Sequence, residues 1–301
     1  MNRHRPLTAL AFLAPNIGGF AVFTLIPVVA AFALSLCDWD LFRAPTFVGL
    51  RNFRDLLGWH LDGDSFAWND PLFWKYLGNT LFIMTAIPVT MAASLFLALL
   101  LNRPFRGRYL FRTIYFVPTI CAGVGLLLLW ENLFDAEFGL INQTLSLIGI
   151  DGPRWLLDYN WAKPALMIMK VWGEMGGLSM IIYLAGLQGI PQELYEAAQI
   201  DGASARGRFR HITWPMLAPT TFFVFITSII NGFQTGFNMA YVMTRGGPAG
   251  ATTTVDYYIY LHGFRFFNMG YAAAIAVVLF AIIFTVTMVN WRFGGRVVSY
   301  G

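Results

Sequence analysis

Long stretches without Asp, Glu, Lys or Arg alternate with short charged segments along the chain. A transmembrane helix needs about 20 mostly apolar residues, and six uncharged stretches approach or exceed that length. They lie between Arg5 and Asp38, Lys75 and Arg103, Arg112 and Glu131, Glu174 and Glu193, Arg210 and Arg245, and Arg265 and Arg292. The pattern predicts an all-α membrane protein with six transmembrane helices near 9–36, 77–101, 113–134, 164–187, 214–237 and 269–290.

The first apolar stretch has some features of a secretory signal peptide, because Arg3 and Arg5 precede it and Ala31 and Ala33 supply small residues two apart. A signal peptide has an apolar core of about 7–15 residues. The run that ends at Asp38 is at least twice as long. We therefore interpret it as a retained helix, and we treat residues 1–301 as one transmembrane domain.

Composition agrees with a protein built for a membrane. Hydrophobic residues make up 57% of the chain and charged residues 12%, whereas soluble domains carry about 25% charged residues. The 17% of aromatic residues fits the belts of Trp and Tyr that lie at membrane interfaces.

The positions of Lys and Arg predict the orientation, because cytoplasmic loops are enriched in both. With both termini in the cytoplasm, the inner segments hold eleven basic and three acidic residues, and the outer segments hold eight and twelve. The net charge of +4 is therefore mainly a signal of topology. Nucleic-acid binding would require these arginines on one soluble face, so we predict no nucleic-acid partner.

Catalytic and metal sites have no support in the sequence. None of the three lysines follows a glycine, which excludes a G-x-x-x-x-G-K-[ST] nucleotide loop. Ser179 is followed by Met180, and the four histidines fall at helix ends or in loops, so no nucleophile–base pair or metal cluster is evident. Cys37 and Cys121 lie in or beside apolar runs without metal spacing. We predict no catalytic residue and no metal.

Three longer segments are expected on the outer side, at 38–76, 135–163 and 238–268. The first contains Trp39, Trp59, Trp68 and Trp74 among several aspartates. These rings either lie in the interfacial belt or form a cap that contacts an external partner. The interfacial belt is the interpretation that we favour.

The polar segment 188–213 has the pattern of a docking element. Pro191 fits the first position of a helix, and Leu194, Ala197 and Ala198 share one face at spacings of three and four. Asp201-Gly202 is a turn signal, and Asp201 is predicted to cap a second helix from Ala203 to about Thr213. An amphipathic helix that lies on the membrane without a partner is the alternative.

Several motifs carry a resemblance to a known family. E-A-A-x-x-D-G-A begins at Glu196, and I-T-W-P ends at Pro215. Further matches are N-T at 79–80, F-R-T-x-x-F-x-P at 111–118, Y-L-A-G-L-Q at 183–188 and T-R-G-G-P at 244–248. The chain resembles the permeases of binding-protein-dependent ABC importers for carbohydrates, of the maltose, lactose and glycerol-phosphate type, and T-x-G-G-P is closer to the first of their two permeases.

The resemblance implies the type I ABC importer permease fold and a non-catalytic role in ATP-driven sugar import. It places the contact with a separate ATPase at Glu196, Ala197, Ala198, Asp201 and Gly202. The implied partners are a second homologous permease, two ATPase subunits that bind ATP and Mg²⁺, and an external solute-binding protein. This chain itself would hold no cofactor, and it would lie in the bacterial inner membrane among lipids, with Arg206, Arg208 and Arg210 near lipid phosphates.

Two groups are candidates for the solute path. Glu174 lies roughly 15 Å along the fourth helix from Pro164, and ionisable residues at such depth usually mark function. Lys170 is one turn away, so a pair that only fixes helix packing is the alternative. Trp172 offers a flat apolar surface to a sugar ring.

The second group lies at the end of the fifth helix, where the resemblance implies that the stretch before T-R-G-G-P lines the solute site. It comprises Phe233, Gln234, Gly236, Phe237 and Asn238, with Asn231 weakest by spacing. Hydrogen bonds of these amides between helices are the alternative role.

A stand-alone, ion-coupled secondary transporter is the alternative function, for which Glu174 would be the single membrane acid. The sequence leaves open whether the solute is a disaccharide, a monosaccharide derivative, a polyol or a glycerol phosphate.

Overall fold

The computed structural model describes residues 5–63, 65–120, 123–234 and 236–294. Arg3, Cys121 and Arg296, which entered the sequence-based predictions, lie outside these ranges. The same holds for both chain ends, whose cytoplasmic location is therefore still a prediction.

Helices account for most of the described residues. The helices before residue 135 are α1 (Arg5–Phe20), α2 (Ile26–Ser35), α3 (Arg51–Leu57), α4 (Pro71–Met84), α5 (Ala86–Asn102), α6 (Arg108–Ile120) and α7 (Val124–Leu133). The next are α8 (Leu140–Leu147), α9 (Ala162–Met175), α10 (Leu178–Gln188), α11 (Gln192–Ile200), α12 (Ala205–Arg208) and α13 (Trp214–Met216). The last are α14 (Ala218–Gln234), α15 (Gly236–Met239), α16 (Val255–Tyr260) and α17 (Met269–Gly294). Wider π-type turns occur at Ala21–Leu25, Phe209–Thr213, Ala240–Thr244 and Leu261–Arg265.

Within the described ranges, four helical segments are long and apolar enough to cross a membrane. They are Ala11–Ser35, Pro71–Asn102, Ala162–Gln188 and Met269–Arg292. Two bent pairs, Arg108–Ile120 with Val124–Leu133 and Ala205–Met216 with Ala218–Gln234, bring the number to six if each pair is one span. An all-α membrane fold agrees with this arrangement.

Several helices begin at positions other than those that the apolar runs predict; α6, for example, begins at Arg108 and not near 113. The cause is visible for two of them. The second span starts at Pro71 and not near 77, because Asp70 accepts the N–H of Phe73 at 3.0 Å and caps the helix. The fifth apolar helix starts at Ala218 and not at 214, since a bend of 61° separates it from Ala205–Met216. In both cases a local cap or bend sets the boundary of the helix. Neither feature changes the hydropathy of the sequence.

The fourth span is interrupted between α9 and α10, at Gly176 and Gly177. A Cβ atom on Gly176 would lie 2.3 Å from the carbonyl oxygen of Tyr115, so only glycine permits this close approach of α6. The carbonyl of Met175, which the break frees from the helix, accepts the hydroxyl of Ser94 at 2.9 Å. The interruption is therefore compensated by hydrogen bonding, as membrane depth requires.

Contacts divide the described residues into two compact units, one within Met1–Phe73 and Tyr258–Ile282 and the other within Trp74–Tyr257 and Ile283–Gly301. The single-domain organisation stays a prediction. In the first unit, Phe32 of α2 packs edge-on against Phe280 of α17, with ring centroids 5.9 Å apart. Asn52 of α3 donates to the carbonyls of Ser35 and Cys37, each at 2.9 Å.

The outer segment 38–76 also contains strands, which the sequence analysis did not predict. Cys37–Asp38 (β1) pairs antiparallel with Thr46–Phe47 (β2). Trp59–Asp62 (β3) pairs antiparallel with Ser65–Trp68 (β4). Alternating aromatic and polar residues on both sides of Asp62-Gly63 are a hairpin signal, and Gly63 adopts a positive φ of 61° there.

The second unit contains two apolar clusters. One packs α5 and α10 together through residues such as Ala98, Tyr183 and Leu187. The other joins α7 and α9 around Trp130, Phe134 and Leu166. These clusters position the helices that build the cavity described next.

Candidate functional site

The described part of the second unit contains an open cavity of about 340 Å³. α9 contributes Lys170, Gly173 and Glu174, which share one helix face because they are three and four residues apart. Other polar residues of the wall are Thr119 of α6, Ser179 of α10, Ser228 and Asn231 of α14, and Asn238 of α15. The cavity therefore combines hydroxyl, amide and carboxylate groups with apolar surface.

Lys170 and Glu174 form an ion pair in this wall, in which the acid is exposed and the base is buried. Nζ of Lys170 donates to Oε1 of Glu174 at 2.7 Å. The side chain of Lys170 is 3% exposed, whereas that of Glu174 is 44% exposed. Because the acid of the pair remains in contact with solvent, the pair is less desolvated than a fully buried one. Lys170 is thus held in the helix packing, and the carboxylate faces the open space.

The structure places the predicted solute-path residues in different surroundings. Glu174 and Asn238 lie in the cavity wall. Trp172 packs edge-on against Trp130, with ring centroids 5.4 Å apart. Phe233 is 2% exposed within the packing, and Gln234 is exposed outside the cavity lining. A solute role for these last three stays a prediction without a cavity contact in this conformation.

Gly236 and Phe237 lie beside the cavity and contact Thr254 and Asp256. A Cβ atom on Gly236 would lie 2.7 Å from a methyl group of Thr254, so only glycine leaves room for the Thr254 side chain here. The N–H of Phe237 donates to Asp256 at 2.5 Å, and Asp256 also accepts the hydroxyl of Thr254. Burial raises the pKa of the Asp256 carboxyl. The hydrogen bond from Phe237 to Asp256 holds the backbone next to Asn238 in place.

Sequence reasoning missed several residues of the wall. Thr119, Ser179 and Ser228 were not assigned to the solute path, and Asn231 was ranked lowest by spacing. Small hydroxyl residues scarcely change the hydropathy of an apolar run, so they gave no signal. A usable signal was present in the spacing of Ser228 and Asn231, which are three residues apart and share a face of α14.

The N-T motif has a structural role that its sequence did not reveal. Nδ2 of Asn79 donates to the carbonyls of Gly250 and Thr253, each at 2.9 Å. Oγ1 of Thr80 accepts the N–H of Val255 at 3.1 Å. Each such bond contributes about 0.5–1.5 kcal/mol net. Together they fasten the segment that follows T-R-G-G-P to α4.

The connecting helix α11 begins one residue after Pro191 and ends in a tight turn. Asp201 follows its last residue, and Gly202 adopts a φ of +76°. The N–H of Gly202 donates to the carbonyl of Gln199 at 3.1 Å, and that of Ala203 to Ala198 at 2.8 Å. These bonds satisfy carbonyls that the end of α11 leaves open.

The predicted cap of the second helix is wrong. Ser204, and not Asp201, caps α12, because its hydroxyl accepts the N–H of Gly207 at 3.2 Å. The regular helix then covers only Ala205–Arg208 and passes into a π-type turn at Phe209–Thr213. Two extra residues in the turn after Gly202 move the helix start beyond the reach of Asp201.

The surface of α11 is largely uncovered by the described chain. Leu194 is 42% exposed and Ile200 is 88% exposed. Glu196 and Ala197 are also exposed, and Ala198 is half-buried. The hydroxyl of Tyr195 bonds to Thr213 at 2.9 Å, which holds the helix against the segment that follows it. α11 is therefore a firmly attached element with an open apolar and acidic face.

Comparisons with known proteins agree with these features. The chain is 35% identical to the probable ABC transporter permease protein YesP of Bacillus subtilis, over 98% of this chain and 92% of that protein. It is 38% identical to the lactose transport system permease protein LacF of Rhizobium radiobacter, over 93% and 91%. The fold matches a chain of the crystal structure of a bacterial alginate ABC transporter in complex with an alginate pentasaccharide-bound periplasmic protein, with a TM-score of 0.82, 22% identity, and coverage of 99% and 97%.

The family assignment rests on a match over most of the chain. Residues 90–292 match the family described as binding-protein-dependent transport system inner membrane component. This range includes α11, the helices on either side of it and the cavity wall. The chain belongs to the family of inner membrane components of binding-protein-dependent transport systems.

Proposed function

We propose that this chain is the permease subunit of an ATP-driven importer for a sugar or sugar-like solute. The observation that carries the proposal is the connection between α11 and the cavity. α10 contributes Ser179 to the wall at its start and leads into α11 at its end, and α14, which follows the same loop, contributes Ser228 and Asn231. A displacement of α11 is therefore transmitted to two sides of the cavity.

The distance from loop to cavity is short enough for rigid transmission. The eleven residues of α10 span about 16 Å at about 1.5 Å per residue. The cluster of Ala98, Tyr183 and Leu187 packs α10 against α5, so a push at α11 moves packed helices together. Alternating access then follows when an ATPase pair closes, pushes the loop and turns the cavity outward.

The chemistry of the wall fits a sugar. Hydroxyl and amide groups supply hydrogen-bond donors and acceptors, and apolar side chains supply surface for ring faces. The relative whose name specifies lactose transport supports this solute class. The chain makes and breaks no covalent bond in this proposal.

The proposed partners follow from two features of the chain, the exposed surface of α11 and the lack of a phosphate-binding loop in its sequence. The open face of α11 is offered to an ATPase, and two such subunits would carry ATP and Mg²⁺, because this sequence has no phosphate-binding loop. A second homologous permease and an external solute-binding protein complete the assembly. The arginine distribution supports an orientation with both termini and α11 in the cytoplasm. Family membership disfavours a stand-alone secondary transporter.

Glu196→Lys tests the coupling role. It reverses a charge on the exposed face of α11, so we expect the ATPase subunits to be lost from the purified complex and uptake to fall to background. The affinity of the external binding protein for its solute should not change. Glu137→Lys, the same reversal on an exposed residue of another segment, serves as the control and should retain the ATPase.

Two results would contradict the proposal. One is full retention of the ATPase and of uptake in the Glu196→Lys complex. The other is solute uptake by this chain alone, in ATP-free vesicles driven by an ion gradient.

A further inference from the structure

The charge of the cavity surface is set by the pair described above. Among the described residues of the wall, Lys170 and Glu174 are the ionisable groups. The side chain of Lys170 is 3% exposed, and its ammonium is bonded to the carboxylate of Glu174, whose side chain is 44% exposed. A solute in the cavity therefore meets the acid of the pair and is screened from the base.

The remaining polar groups are neutral. Asn231 and Asn238 each offer an amide donor and an amide acceptor, and Ser179 and Ser228 each offer a hydroxyl. The hydroxyl of Thr119 is buried and lacks a hydrogen-bond partner among the described residues. Because this oxygen is buried, it lies behind the cavity surface, and Thr119 does not offer its hydroxyl to a solute in this conformation.

We infer that the cavity takes uncharged, hydroxyl-rich solutes and that Glu174 discriminates against sugars that carry a carboxylate, phosphate or sulfonate. The inference rests on the proposed function and narrows its solute class. A carboxylate accepts hydrogen bonds from sugar hydroxyls strongly, because its oxygens are charged. An anionic sugar would instead place a second negative charge against the carboxylate of Glu174, and like charges in contact repel each other.

Lys170 does not reverse this preference. To neutralise an anionic solute, its ammonium would have to leave Glu174 and move out of the packing of α9. That movement would leave the Glu174 carboxylate without the partner that the structure gives it. Binding of an anionic solute would therefore require Lys170 to leave the helix packing and Glu174 to lose its partner. A neutral sugar requires neither change.

The test measures binding to the purified complex of permeases and ATPase without the external binding protein, which removes the selectivity of that protein. The probes are matched pairs of radiolabelled neutral sugars and their uronic acids: methyl glucoside with methyl glucuronide, and methyl galactoside with methyl galacturonide. We expect at least one neutral probe to bind, and to bind about tenfold more tightly than its acidic counterpart, because like charges in contact are strongly disfavoured.

Two variants should change the ratio of neutral-probe affinity to acidic-probe affinity in opposite directions. Glu174→Gln keeps the shape and removes the charge, so we expect the preference to narrow to less than about threefold. Asn238→Asp adds a second carboxylate at an exposed position of the wall, and we expect it to widen the preference. Glu131→Gln removes an acid that is not part of the cavity lining and should leave the ratio unchanged.

The outcomes separate this inference from the proposed function. Equal or tighter binding of the acidic probes, binding of no neutral probe, or an unchanged ratio in Glu174→Gln would overturn the selection by charge. ATPase retention and ATP-driven uptake, measured on the same complex, report on the importer itself. An intact ATPase assembly in Glu174→Gln excludes misfolding as the cause of a changed ratio.

Discussion

At the scale of single residues, the first unit contains a buried acid, Asp70, that accepts three hydrogen bonds. Asp70 accepts the hydroxyls of Tyr258 at 2.9 Å and Tyr271 at 2.6 Å, in addition to the N–H of Phe73. The ring of His262 packs edge-on against Tyr258, with ring centroids 4.5 Å apart. Its Nδ1 atom is buried without a hydrogen-bond partner among the described residues.

This environment predicts a dependence of stability on pH. Burial lowers the pKa of His262, and the nearby charge of Asp70 raises it only in part. Because the unfolded state then binds the proton more readily, the free energy of unfolding falls as the pH drops below the ordinary histidine pKa of about 6.5. We expect the Tm of the detergent-solubilised complex to fall between pH 7.5 and pH 5.5.

His262→Phe identifies the group responsible. It keeps the ring contacts with Tyr258 and Tyr271 and removes the titrating nitrogen, so the loss of Tm on acidification should become smaller. An equal loss in the variant and the natural protein would assign the pH dependence to another group. Asp70 is the residue whose charge acts on the imidazole, and this substitution retains it.

At the scale of secondary-structure elements, the turn between α11 and α12 depends on one backbone conformation. Gly202 has a φ of +76°, where a β-branched residue is strained by about 1–3 kcal/mol. The neighbouring glycine, Gly207, has ordinary helical geometry, and a Cβ atom there would meet nothing closer than 3.4 Å. Gly207 therefore has room for alanine and serves as the control position for Gly202.

Gly202→Val should uncouple transport while the chain still inserts and assembles. The strain alters the direction in which α11 is presented, so we expect solute-stimulated ATP hydrolysis and uptake to fall at least about tenfold, as for other losses of positioning. Gly207→Ala should retain both activities. The assay measures uptake and ATP hydrolysis in proteoliposomes, and wild-type activity of Gly202→Val would refute the role of this turn.

The elements were only partly predictable. The positions of the apolar helices follow from runs without charge, because burying a charge in lipid is costly. The interruption at Gly176 and the cap at Ser204 depend on single carbonyls and hydroxyls, whose effect is local and leaves the hydropathy pattern unchanged. The β3–β4 hairpin had a sequence signal in Asp62-Gly63, but the surrounding aromatic residues were interpreted as an interfacial belt.

At the scale of the whole molecule, the distribution of arginine predicts which side of the membrane each segment faces. In a variant in which Cys37 and Cys121 are replaced by Ser, single cysteines test this. Ser65→Cys lies on β4 and Gln199→Cys on α11, and both positions are exposed. A membrane-impermeant maleimide should label Ser65→Cys in spheroplasts and should label Gln199→Cys only after the membrane is opened. Labelling in the reverse order would invert the proposed orientation.

The sequence by itself determined that the chain is an all-α membrane protein, the family to which it belongs and the place of the exposed loop around Glu196. These properties are local, since they depend on uncharged runs and on motifs of contiguous residues. Only the tertiary structure decided which polar residues share a cavity, and that Glu174 faces the open space while Lys170 does not. Residues from α6, α9, α10, α14 and α15 meet there, and the exposure of a side chain is a property of helix packing that no stretch of sequence specifies alone.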